Sequence, residues 1–257
     1  PYALELANGG GIISDSFYHE DQRLTLAGAL VESSNTAIAQ YTDLLDAASR
    51  HDYLAKFGLG QATGIGFNGE SSGTLYDAAD WDARTNYAVQ FGQGLSTTSI
   101  QMASAYQALG NGGVRLPPVL VESCTRPDGT VTDIPSTEGT RVISEAAAEQ
   151  TLQMMEMVYS SSGSAPNLAI PGYRVAVKSG TAQVAENGSY GGNVVISYAG
   201  LAPADDPEYI VIATAGIPDS IYSGAIASTF RDIMAQTLTT YRVTPSSTSG
   251  PDLPLRW

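Results

Sequence analysis

The sequence predicts an α+β fold in which a mostly helical half precedes an antiparallel sheet and a closing helix. Apolar residues recur at helical spacing in residues 36–48 and 145–160. Three apolar runs follow, at residues 173–184, 193–201 and 209–215, and turn-forming residues separate them as in hairpin-connected strands. A chain of 257 residues is long enough to bury a substantial core beneath such a sheet.

Capping signals divide the first half into short helices. Residues 24–31 are expected to form a short helix. The stretch that begins at Ser49 resembles a capping box, so a second helix is expected to start there and to end at Gly58. A similar signal begins at Thr98 and predicts a helix that either Gly110 or Gly112 ends. These helices are expected to form a lobe of their own beside the sheet.

The elements suggest one partial domain followed by a tail. Residues 1–244 are assigned to the domain, with a helical lobe at about 24–115 and a sheet-bearing part at about 116–244. A closing helix is expected at residues 223–241. Residues 245–257 are rich in serine and proline and are expected to be a low-complexity tail.

The composition excludes several classes of function. A net charge of −14 and a pI near 4.3 argue against nucleic-acid binding and against a polybasic membrane anchor. Cys124, His19 and His51 are too few to form a typical metal-ligand cluster, so neither a metal nor a cofactor is expected. The pair Gly92 and Gly94 lacks the Gly-Lys-[Ser/Thr] that a phosphate-binding loop requires.

The most informative stretch begins at Lys178, one of the two lysines in the chain. Lys178, Ser179, Gly180 and Thr181 follow directly on an apolar run that predicts a strand. A cation and two hydroxyls are suited to binding a carboxylate, and the glycine allows a substrate backbone to lie flat against the strand. The strand is therefore expected to be a sheet edge that binds an extended substrate.

A second motif, Ser-x-Asn, stands at Ser33 and Asn35. With a preceding Ser-x-x-Lys, this motif and the lysine motif form the signature of class A β-lactamases and penicillin-binding proteins. The Ser-x-x-Lys is absent, because Tyr53 and Val175 occupy the positions three residues before the two lysines.

The chain resembles class B penicillin-binding proteins over about residues 20–243. The ending of the lysine motif in Ala182 and Gln183 is more similar to monofunctional class B enzymes than to bifunctional class A enzymes. The resemblance rests on the two motifs and on further stretches at residues 24–26, 57–65, 91–98 and 202–207.

The resemblance implies a penicillin-binding protein/β-lactamase-like transpeptidase fold and a D,D-transpeptidase that cross-links peptidoglycan. In such an enzyme a serine attacks the penultimate D-Ala carbonyl, expels the terminal D-Ala and passes the acyl group to a stem-peptide amine. The implied partners are peptidoglycan stem peptides and β-lactam antibiotics, and nucleic acid is not among them. The implied location is the extracytoplasmic face of the bacterial cytoplasmic membrane, with an anchor in a segment outside these 257 residues.

Catalytic roles carry over to three residues of the two motifs. Ser33 would relay a proton to the leaving amine, Asn35 would hold the amide of the donor, and Lys178 would supply positive charge. By its place before a predicted helix, Ser33 could equally be a helix N-cap.

Substrate-binding roles carry over to the residues after the lysine. The Ser179 and Thr181 hydroxyls would bind the terminal carboxylate, and the Thr181 backbone N–H would form half of an oxyanion hole. Gly180 and Gln183 complete the implied substrate-binding set.

The family's nucleophile and its lysine base precede Ser-x-Asn, together with two sheet strands and the central helix. The fold is therefore expected to be incomplete at its N-terminal side, with the missing segment as a partner. A non-catalytic penicillin-sensing or scaffold relative, or a β-lactamase, is the alternative. A Ser-x-x-Lys immediately before Pro1 would favour the enzyme.

Overall fold

The computed structural model describes residues 1–6, 9–132, 134–186, 189–218 and 226–257. A small hairpin and five helices fill the first half of the chain. They are β1 (Ala3–Glu5), β2 (Ile12–Ser14), α1 (Leu26–Glu32), α2 (Asn35–Thr42), α3 (Ala47–Lys56), α4 (Ala83–Ala88) and α5 (Ser99–Gly110).

The boundary between α2 and α3 differs from the prediction. The continuous helix expected over residues 36–48 ends at Thr42, and α3 begins at Ala47. Ser49 does not cap α3. Its backbone N–H donates at 2.7 Å to the side chain of Asp46, which is the N-cap. A carboxylate three residues earlier is a strong acceptor for the free N–H groups of the first turn, so the helix starts there. The capping box predicted at Thr98 is confirmed, with Gln101 as its second residue.

The second half contains short strand pairs, two helices, the main sheet and a last helix. The elements are β3 (Val114–Arg115), β4 (Cys124–Thr125), β5 (Val131–Thr132), β6 (Thr140–Arg141), α6 (Glu145–Ser161), α7 (Ala165–Leu168), β7 (Ala176–Glu186), β8 (Ser189–Ala202), β9 (Tyr209–Pro218) and α8 (Ala227–Thr240). This order confirms the predicted succession of helices, antiparallel sheet and closing helix.

The main sheet has the antiparallel order β7-β8-β9. In the described part of the chain, β7 and β9 each pair only with β8, so the sheet has two open edges. The register places Lys178 of β7 opposite Ala199 of β8. The prediction that the lysine-bearing strand is a sheet edge is thus confirmed for the described residues.

The part of the sheet around Ala176, Leu201 and Val211 is packed on both faces. One face, which includes Val177 and Tyr198, packs against α8 through the fully buried Phe230. The opposite face, which includes Ala176 and Leu201, packs against α5 and α6. Successive side chains of a strand alternate between faces, so Lys178 lies on the same face as Ala176, toward the helical half.

Residues 245–257 form neither a helix nor a named strand, but they pack along the molecule. Leu253 and Leu255 contact the core that α8 covers. We call residues 245–257 the C-terminal strap. The serine and proline content is consistent with the irregular backbone, but the composition gave no sign that the strap would pack.

Within the residues that the structure describes, none of the helices has the length and apolar character needed to cross a membrane.

Candidate functional site

Ser33 lies at the two-residue junction of two helices. It is the C-cap of α1, with φ 51° and ψ 41°, and Ser34 is already the N-cap of α2. A residue other than glycine in the left-handed region costs about 1 kcal/mol or more, and such strain is commonly retained at functional sites. This conformation lets the chain pass from α1 to α2 with only Ser33 and Ser34 between the two helices.

The side chain of Lys178 joins the two motifs. Its Nζ donates a hydrogen bond to Ser33 Oγ, across 145 positions of sequence. A second hydrogen bond runs from Nζ to the carbonyl oxygen of Ser179, at 2.8 Å. The structure therefore places Ser33 and Lys178 in one site, as the order of the motifs predicts.

The electrostatics of Lys178 suit an anionic ligand. Burial lowers the pKa of Lys178 from 10.5 to about 8, because desolvation disfavours the charged form. Among the described residues, the ion pairs found do not include Lys178, and its two hydrogen-bond acceptors are neutral oxygens. The ammonium group is thus held in place while its charge is left for a ligand.

The Ser-x-Asn segment is fixed by the end of β2 and the residue after it. Asn35 Nδ2 donates to the carbonyl oxygen of Ser14 at 3.1 Å. The buried carboxylate of Asp15 accepts from Ser34 Oγ at 2.7 Å and from the Thr36 backbone N–H at 2.9 Å. Both neighbours of Asn35 are therefore bound to one carboxylate.

His19 completes the surroundings of Asp15. Its Nε2 lies 2.9 Å from Asp15 Oδ2. The hydrogen bond of its Nδ1 to the Glu20 carbonyl raises the pKa of His19, and the contact with Asp15 raises it further. Sequence reasoning did not identify Asp15, because a single acidic residue in an irregular segment carries no recognisable pattern.

The predicted substrate-binding residues continue along β7. Gly180 and Thr181 are exposed at the open edge, and Gln183 is exposed further along. Alternation places Lys178 and Gly180 on one face of the strand, and Ser179, Thr181 and Gln183 on the other. A Cβ added to Gly180 would approach Ser197 Oγ to 2.7 Å, so a larger residue there would crowd the sheet.

An antiparallel sheet whose open edge carries Lys-Ser-Gly-Thr, with the lysine bonded to a facing Ser-x-Asn, defines the class of penicillin-recognising serine acyl-transfer proteins. Comparison with known proteins agrees. The family model described as "Penicillin binding protein transpeptidase domain" matches residues 8–235, and the chain belongs to this family.

Curated relatives match along nearly the whole chain. Penicillin-binding protein PbpB of Mycolicibacterium smegmatis is 36% identical over 261 residues, covering 96% of this chain and 40% of the relative. Peptidoglycan D,D-transpeptidase FtsI of Escherichia coli K12 is 32% identical over 256 residues, covering 98% of this chain and 41% of the relative. The chain thus spans about two fifths of the length of these relatives.

Solved structures share the fold. Penicillin-binding protein 3 from Mycobacterium tuberculosis, in complex with ampicillin, superimposes with a TM-score of 0.92 at 32% identity. The match covers 100% of this chain and 59% of that one. A peptidoglycan synthetase from Bifidobacterium adolescentis gives a TM-score of 0.90 at 32% identity, over 100% of this chain and 47% of the other. The fold of the chain is therefore that of penicillin-binding protein transpeptidase domains.

Proposed function

We propose that this chain is the C-terminal part of the transpeptidase domain of a peptidoglycan cross-linking D,D-transpeptidase. The observation that carries the proposal is the hydrogen bond between Lys178 and Ser33, which unites two motifs of a penicillin-recognising site. Relatives named as D,D-transpeptidases support it, as does a relative with ampicillin bound.

The reaction proceeds through an acyl-enzyme. A serine oxygen bonds to the carbonyl carbon of the penultimate D-Ala, the amide C–N bond breaks, and the terminal D-Ala leaves with a proton on its nitrogen. Ser33 relays that proton, because its hydroxyl is already bonded to the Lys178 ammonium. A stem-peptide amine then attacks the acyl carbon, the bond between that carbon and the serine oxygen breaks, and the proton lost by the amine returns to the serine oxygen.

Binding of the donor uses the open edge of β7. The donor peptide lies antiparallel to the strand over Gly180, where no side chain obstructs its backbone. Its terminal carboxylate is held at this edge by the hydroxyls of Ser179 and Thr181, which lie on the strand face opposite to that of Lys178, and Gln183 lies further along the same edge. The Lys178 ammonium reaches the strand backbone at the Ser179 carbonyl oxygen, which brings its charge close to the carboxylate. Asn35 holds the amide of the donor. β-Lactam antibiotics occupy the same place, because they resemble the D-Ala-D-Ala end.

The nucleophilic serine and its lysine base lie in a segment that precedes Pro1. We refer to it as the upstream segment, and it is the protein partner of this chain. The open edge of β9 is consistent with a strand supplied by that segment.

We also propose that residues 1–244 divide into a helical lobe (about 24–115) and a sheet-bearing part (about 116–244). The complete protein acts at the extracytoplasmic face of the cytoplasmic membrane, held by an anchor outside this chain.

A fluorescent penicillin tests the proposal. The purified chain is incubated with the label, with and without the upstream segment, and run on a denaturing gel. Labelling is expected only with the upstream segment, because an unactivated hydroxyl is a weak nucleophile near neutral pH. Labelling of the chain alone that is lost on Ser33→Ala would show that Ser33 is the nucleophile. No labelling in either arm would favour a non-catalytic relative.

A further inference from the structure

The C-terminal strap contacts both elements that carry the site pair. Ser33 ends α1, and Lys178 lies near the start of β7. The first part of the strap binds the segment directly before β7, and its last part binds the start of α1. Nothing in the sequence of the strap predicts either contact.

Near β7, the strap is attached through Arg174, four positions before Lys178. The Arg174 backbone N–H donates to Ser246 Oγ at 3.1 Å, and its Nη1 donates to Thr248 Oγ1 at 2.7 Å. The Ser246 backbone N–H donates to the Gly172 carbonyl oxygen at 3.0 Å. These bonds hold the segment directly before β7, where the chain enters the sheet.

Arg174 is itself rigidly placed. Its Nε and Nη2 donate to the two carboxylate oxygens of Glu156 on α6, at 2.7 and 2.8 Å. Glu156 is only 5% exposed, and a bidentate pair of this kind is among the stronger hydrogen-bonded contacts in proteins. Asp205 accepts from Ser246 Oγ at 2.7 Å, which adds a third attachment for the strap.

Near α1, the strap binds the helix N-cap. The backbone N–H of Thr25 donates to the Leu255 carbonyl oxygen at 3.1 Å, and Thr25 Oγ1 donates to the Pro254 carbonyl oxygen at 2.7 Å. Trp257 donates its indole N–H to the Leu24 carbonyl oxygen at 3.1 Å. A guanidinium–carboxylate contact of 3.6 Å joins Arg256 to Glu32, at the end of α1 next to Ser33.

The approach of the strap to α1 depends on a glycine. A Cβ added to Gly28 would stand 2.0 Å from the backbone oxygen of Leu255, which no side-chain rotation can relieve. α1 is seven residues long, or roughly 10 Å, so a displacement at its first turn is carried to Ser33 at its end.

We propose that the C-terminal strap is a positioning element that sets the separation of Ser33 and Lys178. Its first part holds the segment directly before β7, and its last part holds both ends of α1. Ser33 and Lys178 therefore cannot move apart independently of the strap. The strap acts through the elements it holds. The expected effect on catalysis rests on the proposed function, whereas the expected effect on the separation of Ser33 and Lys178 does not.

The test measures the titration of Lys178 by NMR in the 257-residue chain with ¹³Cε-labelled lysine. Lys56, which is exposed, is the only other lysine and serves as an internal reference. Gly28→Ala displaces the strap from α1, and Trp257→Ala removes one anchor more mildly. Both are expected to raise the Lys178 midpoint from about 8 toward 10.5, because loosening α1 exposes the ammonium group to water.

Two matched variants serve as controls. Gly163→Ala adds a Cβ with nothing within 4 Å, so it reproduces the chemical change of Gly28→Ala without a clash. Trp81, the other tryptophan, donates its indole N–H to the Tyr76 carbonyl oxygen, and among the described residues its hydrogen bond and ring contact involve no residue of the strap. Gly163→Ala and Trp81→Ala are expected to leave the Lys178 midpoint unchanged.

A second arm measures the rate of fluorescent-penicillin labelling with the upstream segment present. The two strap variants are expected to slow labelling about 10- to 100-fold, since a misplacement of about 1 Å has effects of this size. A lower melting temperature with an unchanged Lys178 midpoint and an unchanged labelling rate of the folded protein would overturn the proposal. If the strap variants shift the Lys178 midpoint while even the unmodified protein is not labelled, the proposed function fails and the strap proposal stands.

Discussion

The two open edges of the main sheet are similar in length and opposite in chemistry. β7 has 11 residues and carries Lys178, Ser179, Thr181 and Gln183. β9 has 10 residues, from Tyr209 to Pro218, and is almost entirely apolar. An exposed apolar edge invites pairing with another chain, whereas a lysine and a bulge protect an edge from it. β7 has both, since its pairing is irregular after Gln183.

The continuous apolar composition of β9 is that of a strand buried on both faces, and its open edge leaves it free to pair with a further strand. We infer from this contrast that the two edges bind different partners. On this inference, the polar edge of β7 is expected to bind a ligand and the apolar edge of β9 a protein strand.

The largest effect is expected at Lys178. With the upstream segment present, Lys178→Ala should slow fluorescent-penicillin labelling about 10²- to 10⁴-fold, the range for loss of a proton-transfer step, because the Lys178 ammonium holds the Ser33 hydroxyl that relays the proton. Lys56→Ala is the control, because Lys56 is exposed and remote in sequence from both motifs. Normal labelling of Lys178→Ala would remove the lysine from the site.

Two exposed glycines give the next comparison. Gly180→Ala places a Cβ 2.7 Å from Ser197 Oγ and beneath the donor backbone, whereas Gly216→Ala on β9 meets nothing within 4 Å. Crowding of this kind costs about 1–3 kcal/mol, so Gly180→Ala should slow labelling on the order of 10- to 100-fold. Equal labelling rates for the two variants would contradict a ligand lying over Gly180.

A pair of exposed threonines tests the carboxylate contact. Thr181→Val on β7 removes a hydroxyl that is expected to bind the ligand carboxylate, and Thr214→Val makes the same change on β9. A hydrogen bond to a charged group contributes about 1.5 kcal/mol or more, so Thr181→Val should weaken penicillin binding about tenfold. The concentration for half-maximal labelling measures the change, and Thr214→Val should leave it unaltered.

The smallest effect is expected from pH. The pKa of Lys178 is lowered to about 8, so the ammonium form predominates at pH 7 and makes up about half of the molecules at pH 8. The ammonium form of Lys178 is the one expected to bind the ligand carboxylate. The concentration of penicillin for half-maximal labelling should therefore rise about twofold between pH 7 and pH 8. A constant value up to pH 9 would show that the charge of Lys178 does not contribute to binding.

The sequence predicted the sheet well because its signals are local. The apolar runs and the turns between them determine β7, β8 and β9, and the rarity of lysine drew attention to Lys178. The boundary of α2 and α3 was missed, because apolar spacing continues through residues 43–46 while Asp46 caps the next helix. In such a case the cap, rather than the spacing, decides where a helix starts.

The surroundings of the site could not be predicted in the same way. Asp15 binds both neighbours of Asn35, and the strap binds α1 and the entry to β7, through contacts between residues far apart in sequence. Such contacts follow from the packing of the whole fold, and a single residue such as Asp15 or Gly28 carries no pattern of its own. Roles in substrate binding for Ser179, Thr181 and Gln183 stay predictions.

Hydrogen exchange at the two edges tests the central claim most directly. Amide exchange is measured with the upstream segment absent, present, and present with penicillin bound, since exchange reports local opening and pairing strand by strand. The upstream segment should slow exchange in β9 and leave the outer amides of β7 fast, and penicillin should then slow exchange in β7 around Gly180. The contrast between the edges would be contradicted if penicillin protected β9, or if the upstream segment alone protected β7.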